Sequence, residues 1–392
     1  MKESLGLALL LLAALILIPL LAIGGGTELL NPFKATSSTA VSEKGSASSS
    51  LAADPNADAQ AQLEAMLAEH ASSQAVSSSS EASSQAASSE QVEGSSEKAS
   101  AVVKAFKILN LSTGKVETVS RRDYIIGAVA CEMPASFNTE ALKAQAVAAH
   151  TYALRRRLNQ QASPDESLKD ADFSADPSKL QGYITEDTAR ERFGDTFDVY
   201  WNKITKACDE VLEKVLIYEN QPIVAAYHSM SAGKTEDAKT VWESGAPYLV
   251  PVESFGDTLA KNYEAKTELK ATEVQSLLKK QYPDIILSST KSKWFKIISC
   301  TDSGTITELT AGDISMTGQE ARSLFSLRSA NFTIAYANSV FTFTTLGYGH
   351  GVGMSQYGAD YMARQGSTYE EILAHYYPKT VLINESELGT AE

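Results

Sequence analysis

The sequence predicts an α+β fold: one domain with a second lobe or insertion, carried behind an N-terminal leader. Of the 31 Phe, Tyr and Trp among 392 residues, only Phe33 precedes residue 101, so the packed core belongs to residues 101–392. There, runs of alternating apolar residues such as VFTFTTL at 340–346 sit beside runs with helical spacing. The two kinds mix without the regular alternation of a parallel sheet, which is what sets α+β apart from α/β. Net charge is −14, split as −7 on residues 1–100 and −7 on the rest. A nucleic-acid binder presents a basic face, and this balance argues against one. Cys131, Cys208 and Cys300 are widely spaced with no C-x-x-C pair, which rules out a four-cysteine zinc site and a disulfide-dense scaffold.

Residues Leu5 to Ile23 run for 19 positions without a charge, about 28 Å as a helix. That approaches the thickness of a bilayer's hydrocarbon and exceeds the apolar region of a signal peptide, about 7–15 residues. Ala22-Ile23-Gly24 is a weak cleavage site, so residues 1–26 read as an uncleaved signal anchor. Lys2 places the N-terminus in the cytoplasm and everything after Gly26 outside it. Residues 27–100 read as a disordered tether, since 71–100 alone contain 13 serines and too little apolar surface to offset the entropy of ordering. A short helix at Leu63, Met66 and Leu67 is its one interruption. A coil of about 70 residues reaches about 45–50 Å. The expected location is therefore the cell membrane, single-pass, with the folded domain facing something immobile such as a cell wall.

The folded elements run in order from there. VVKAFKIL at 102–109 and KVETV at 115–119 read as strands around the turn Ser112-Thr113-Gly114. Ser120-Arg121-Arg122-Asp123 matches a capping box ahead of YIIGAVACEM, and Pro134 stops that helix. A second helix starts near Asn138, with Glu140 in its first turn and Arg155, Arg156 and Arg157 expected in its last. Residues 163–182 read as loop, 186–205 as helical, and VLIY and PIVAAYHS as strands. Residues 256–335, with their own helices and strands, read as the second lobe. The chain then returns through VFTFTTL into a glycine-rich segment, 347–353, and two short helices split by Gly366.

Among groups that carry chemistry, Glu132 stands out. It ends a helix among Ile, Ala, Val and Met, and both the negative end of the helix dipole and partial burial disfavour its carboxylate. A carboxyl kept protonated near neutral pH is what a general acid requires. The competing reading is a solvated Glu, or one paired with Arg121 or Arg122. His350 lies between glycines that let backbone approach a ligand or another strand. The segment has no glycine at the sixth position of a dinucleotide fingerprint and no Gly-Lys-Ser/Thr of a P-loop. Nor is Gly353-Met354-Ser355-Gln356-Tyr357 a nucleophile elbow, because its fifth residue is Tyr. His228-Ser229 reads either as a Ser-His site or as a hydrogen-bonded structural pair; His375 reads as structural. No short spacing of Cys, His and acids supplies zinc ligands, so neither metal nor cofactor is expected.

The run from Arg122 to Phe137, continuing into Glu140-Ala141-Leu142-Lys143-Ala144-Gln145-Ala146-Val147-Ala148-Ala149, resembles the signature of the stage II sporulation protein D family. Tyr227-His228-Ser229 with Gly233-Lys234-Thr235-Glu236 is similar to a second family block, and Gly349 to Ala359 to a third. Leu327-Arg328-Ser329 with Phe332-Thr333 resembles a further stretch, so the likeness covers nearly all of 101–385. It implies a lytic transglycosylase acting on peptidoglycan strands during forespore engulfment, with Glu132 at the catalytic glutamate and Lys143 retained as a substrate-binding residue. It also implies partners: glycan strands whose stem peptides a partner amidase (protein P of the same stage) has removed, and a complex with protein M. The autolysin modifier proteins share this domain. Some members bind zinc through Cys and His in the loop after the second helix; Asp170 to Leu180 contains neither, so no zinc is expected. The family usually has Arg where this chain has His150, which puts any role of that Arg in question.

On this resemblance Glu132 protonates the bond between N-acetylmuramic acid and N-acetylglucosamine, then takes the proton of the muramic C6 hydroxyl as a 1,6-anhydro ring closes. His350, Ser355, Gln356 and Tyr357 would bind or polarise the sugar, with His228 and Ser229 on the opposite wall. A hydrolase would need a second carboxylate, for which Glu236, Asp237 and Asp257 are candidates. The rivals are a non-catalytic glycan-binding activator of an amidase and, further behind, a Ser-His peptidase.

Overall fold

The structure, a computed structural model, describes residues 102–177, 182–242 and 244–389. The expected anchor, the tether and its short helix lie outside the described residues. Among the described residues no helix is long and apolar enough to cross a membrane.

Strands β1 (Ala105–Asn110) and β2 (Lys115–Ser120) form an antiparallel hairpin. Ser120 then caps helix α1 (Arg121–Glu132), its side chain accepting from the Asp123 N–H, and the helix ends at Met133, one residue before Pro134. Helix α2 (Thr139–Ala162) is capped by Asn138. It runs past Arg155–Arg157 by more than a turn, so those residues do not complement its C-terminal dipole as expected. They serve as side-chain anchors instead: Arg155 donates to the Pro222 carbonyl, Arg156 lies over Phe173, and Arg157 pairs with Asp172. Within the expected loop, β3 (Phe173–Ala175) adds a parallel edge to β1. Three residues carry too little periodicity to be read as a strand; pairing defines this one.

Helices α3 (Glu186–Phe193) and α4 (Phe197–Glu210) come next, then β4 (Lys214–Tyr218), β5 (Gln221–Pro222) and β6 (Tyr227–His228). The expected strand through 222–229 is thus broken into two short pieces, with the buried residues Ile223 to Ala226 between them. A short α5 (Ala238–Trp242) precedes β7 (Glu264–Lys270), α6 (Ala271–Gln281), β8 (Phe295–Cys300), β9 (Ile306–Ala311), β10 (Ile314–Met316), α7 (Gly318–Phe325), β11 (Phe332–Ala337) and β12 (Val340–Leu346). Then come β13 (Met354–Ser355), α8 (Gln356–Arg364), α9 (Tyr369–Tyr376) and β14 (Val381–Asn384).

Two hydrophobic cores result. The larger surrounds α2, whose Ala141, Ala144, Ala148 and Ala153 are buried and let α1, α4, α8, α9 and β4 approach closely. At Gly127 of α1 an added Cβ would lie 2.2 Å from the Ile184 carbonyl oxygen, so glycine is required for that crossing. The smaller core holds Val274, Leu278, Trp294, Phe325, Phe341 and Phe343, with Phe325 and Phe343 stacked at 5.0 Å. It is roofed by two antiparallel sheets, β11-β12-β7 and β10-β9-β8. Because β12 pairs with both β7 and β11, the smaller core draws on the chain as far as Leu346, beyond the expected bound of 335.

The domain's ends are locked together by buried charge. Glu385 lies 2.5 Å from Arg121, accepts from the Val103 N–H and sits 3.3 Å from the His150 ring, while Arg121 also pairs with Glu213. His150 therefore belongs to this lock.

Candidate functional site

Glu132 is the last residue of α1, and its carboxyl is pushed up to about 7, chiefly by desolvation. The helix has no basic residue of its own in its last turn. Arg192 of α3 fills that role, donating to the carbonyls of Ala130 (3.3 Å) and Cys131 (3.0 Å), and its charge pulls the Glu132 carboxyl partly back down. The same carboxylate raises the neighbouring Tyr124, Cys131 and Tyr227, though for each of them burial is the larger cause. The Cys131 thiol, buried and outside any disulfide, is lifted to about 12 and stays protonated. Arg121 and Arg122 are paired elsewhere, with Glu213, Glu385 and Asp209, so the bland reading of Glu132 as their partner fails.

Strand β6 pairs in parallel with β13, joining Tyr227 to Met354 and His228 to Ser355. Adjacent residues of a strand face opposite ways. Tyr227 faces the Glu132 side; His228 turns into a buried cluster where its ring lies 5.6 Å from His350, which in turn lies 4.9 Å from Trp242. The return segment is moulded onto β6: Gly353 has φ +71°, and a Cβ there would lie 2.1 Å from the Ala226 carbonyl oxygen.

One residue's backbone sets both imidazoles. The His228 Nδ1–H donates to the Val352 carbonyl at 3.0 Å, and the Val352 N–H donates to Nδ1 of His350 at 3.1 Å. Desolvation lowers His228 to about 4 and His350 well below its ordinary value, with the buried Arg322 adding to both and His228 adding to His350. Both rings are neutral at pH 7. Below this segment lies a cavity of about 20 Å³ lined by Glu236, Gln319, Ser329, Asn331 and His350. That holds about one water molecule and no sugar ring.

The other expected contact residues divide by accessibility. Ser229 and Tyr357 are half-buried and adjacent, the Tyr357 N–H donating to the Ser229 carbonyl, while the Tyr357 ring meets Phe137 at 4.9 Å. Ser355 and Gln356 are not available to a ligand. Ser355 is fully buried, donates to Asp257 at 2.6 Å and caps α8 through the Gly358 N–H; Gln356 is buried against Gln145. The motif looks exposed in the sequence because glycines surround it, but the parallel pairing with β6 draws it inward. Lys143 is held between Glu140 and Glu210, both at 2.7 Å, beneath Tyr369.

The three carboxylates considered as partners for Glu132 also have structural tasks. Asp257, with no exposed surface, accepts from the Ser231 N–H and hydroxyl and from Ser355. Glu236 accepts from Thr301 of the second lobe, and Asp237 caps the Lys239 N–H. Sequence reasoning misses Arg192, which lies 60 residues from Glu132 and is brought there only by packing of α3 on α1. Tyr227 falls within a family block but draws no role from the sequence; its signal is alternation with His228.

Comparison with known proteins bears on this geometry. A family model described as Stage II sporulation protein matches residues 110–218, the stretch from the end of β1 through β4 that contains Glu132 and Arg192. Stage II sporulation protein D of Bacillus subtilis is 36% identical over 286 residues, covering 72% of this chain and 79% of that protein. The chain belongs to the stage II sporulation protein D family. The Bacillus amyloliquefaciens member is 35% identical over 270 residues, 69% of this chain and 76% of that protein. An amidase enhancer of Bacillus subtilis is 30% identical over 308 residues, which cover 65% of this chain but 40% of that longer protein. Family membership accounts for the blocks seen in the sequence, and the mixed α+β architecture is the frame that holds them.

Proposed function

We propose that this protein is a peptidoglycan lytic transglycosylase of sporulation, with Glu132 as its single acid and base. The observation that carries this is a carboxyl at a helix end, desolvated until it titrates near 7, with Arg192 as its counter-charge. Such a group is protonated often enough to donate to the glycosidic oxygen and, once ionised, is basic enough to take back a proton. The acceptor route fits one carboxylate. As the bond to N-acetylglucosamine breaks, the muramic ring becomes oxocarbenium-like; its own C6 hydroxyl attacks C1 while Glu132 removes the hydroxyl proton. A hydrolase instead uses two carboxyls about 5–9.5 Å apart, and Glu236, Asp237 and Asp257 are each occupied otherwise.

Tyr227, Ser229 and Tyr357 are the side chains we assign to sugar contact; His228, His350, Ser355 and Gln356 support them from behind. Lys143 holds the start of α2 in register. The sporulation names of the Bacillus relatives support the setting. The apolar segment 5–23 supports a membrane anchor, the serine-rich composition of 27–100 supports a wall-facing domain, and strands stripped by a partner amidase are the substrate. The amidase enhancer relative favours one other reading, a glycan-binding activator with no cleavage of its own.

The deciding experiment incubates the full chain with glycan strands lacking stem peptides and reads the products by mass spectrometry. Anhydro-muramic ends made by wild type and not by Glu132→Gln establish the transglycosylase. Reducing ends would mean a hydrolase, and intact strands that still bind would mean the activator.

A further inference from the structure

We propose that Arg192 is a positioning residue: it holds the last turn of α1, aims Glu132 and supplies its counter-charge. This rests on the reading of Glu132 as the working acid. A helix end leaves its last carbonyls without intrahelical partners and carries partial negative charge, both of which favour a nearby cation. In α1 the Met133 N–H closes on Val129. The carbonyls of Ala130 and Cys131, the two immediately before Glu132, are those that accept from Nη1 of Arg192. The contact is supplied by another element, since α1 has no basic residue in its last turn. Its neighbour Arg190 is engaged along α3, pairing with Glu186 and lying 3.9 Å over the Phe197 ring. Arg192 alone of the two reaches inward.

The other titratable groups facing Glu132 are neutral at pH 7. Tyr124 and Cys131 come from α1 itself and Tyr227 from β6, all pushed upward by burial. From α2, Tyr152 and Arg156 act on Tyr124, and Arg156 lies over Tyr152 and Phe173. Among the described residues Arg192 is thus the charge that acts on this carboxyl. Its two actions are separable by chemistry: Gln keeps N–H donors for the carbonyls and loses the charge, whereas Lys keeps the charge and loses the planar fork.

The test is a direct titration of Glu132 in the full chain, with glutamate labelled at its carboxyl carbon and the Glu132 signal assigned by its loss in Glu132→Gln. Removing a favourable positive charge raises the midpoint. Arg192→Gln should move it up by about half a pH unit or more, and Arg192→Lys should leave it near wild type. High salt, which screens an exposed charge, should raise the wild-type midpoint in the same direction. The alkaline limb of strand cleavage should follow the midpoint in each variant. Equal midpoints in wild type and Arg192→Gln, or equal displacement in Gln and Lys, would overturn the proposal; the salt titration of wild type decides it if a variant fails to fold. The titration needs no turnover. A chain that never cleaves strands yet shows this pattern would end the transglycosylase reading and keep the inference, and a cleaving chain whose Glu132 ignores Arg192 would do the reverse.

Discussion

Strand β6 separates two titratable environments that answer the same physical cause in opposite directions. On the Tyr227 side, desolvation lifts Glu132 to about 7, into the range where it exchanges protons readily. On the His228 side, desolvation lowers one imidazole to about 4 and drives the other well below its ordinary value, out of that range. Burial alone therefore does not mark a catalytic group. The sign of the ionised form decides: burial makes a carboxyl more available as an acid and a histidine less so. The histidines that draw attention in the sequence are the quiet side of the strand.

The most severe way to probe the contrast is to remove each group. Glu132→Gln should cut strand cleavage by about 10²–10⁴-fold or more, measured as anhydro ends per unit time, with the fold retained. Breaking the charge lock well away from β6 should act on stability instead. Glu385→Ala leaves buried Arg121 and His150 without their shared carboxylate, and urea unfolding should report a loss of about 3 kcal/mol. Its alkaline activity limb should stay where the wild-type limb lies; a moved limb would mean the lock reaches the site.

The pH dependence of stability sharpens the comparison further, because the two sides have opposite slopes. Folded His228 titrates near 4 against an ordinary 6.5, so between those values the unfolded chain binds the extra proton. Stability from this group is present above 6.5 and falls as pH drops towards 4, by about 3 kcal/mol in all. Folded Glu132 titrates near 7 against an ordinary 4.5, so there the folded chain holds the proton. Its contribution is present below 4.5 and lost as pH rises through 7. Glu132→Gln should accordingly be more stable than wild type at pH 8, by about 1–3 kcal/mol, with the gap closing near pH 4. A variant equally stable at both pH values would show that Glu132 carries no desolvation penalty. The smallest effect belongs to Ser355→Ala, about 1–2 kcal/mol of stability from a lost cap and a lost bond to Asp257, with the cleavage profile unmoved.

What is legible in the sequence is local. The capping residues Ser120 and Asn138, the stop before Pro134 and the alternation of β12 are determined within a few residues, and so is the placement of Glu132 at a helix end. What is not legible depends on contacts between distant segments. Arg192 has no local signal for its reach to α1. The length of α2 escapes a local reading because three arginines look like a helix end, when each has a partner on another element. Ser355 and Gln356 look like surface groups in a glycine-rich loop, and only the pairing of β13 with β6 buries them.

That pairing has a consequence for how the molecule is completed. His228 and Val352 are bonded across 124 residues of chain, and the whole second lobe lies between them. Contacts of such long range carry a loop-closure cost and slow folding. The helix that carries Glu132 is built from neighbours in sequence, whereas the strand that faces it is anchored by a segment that returns only after the second core. A chain that stops short of Val352 lacks the partner that anchors β6 opposite Glu132.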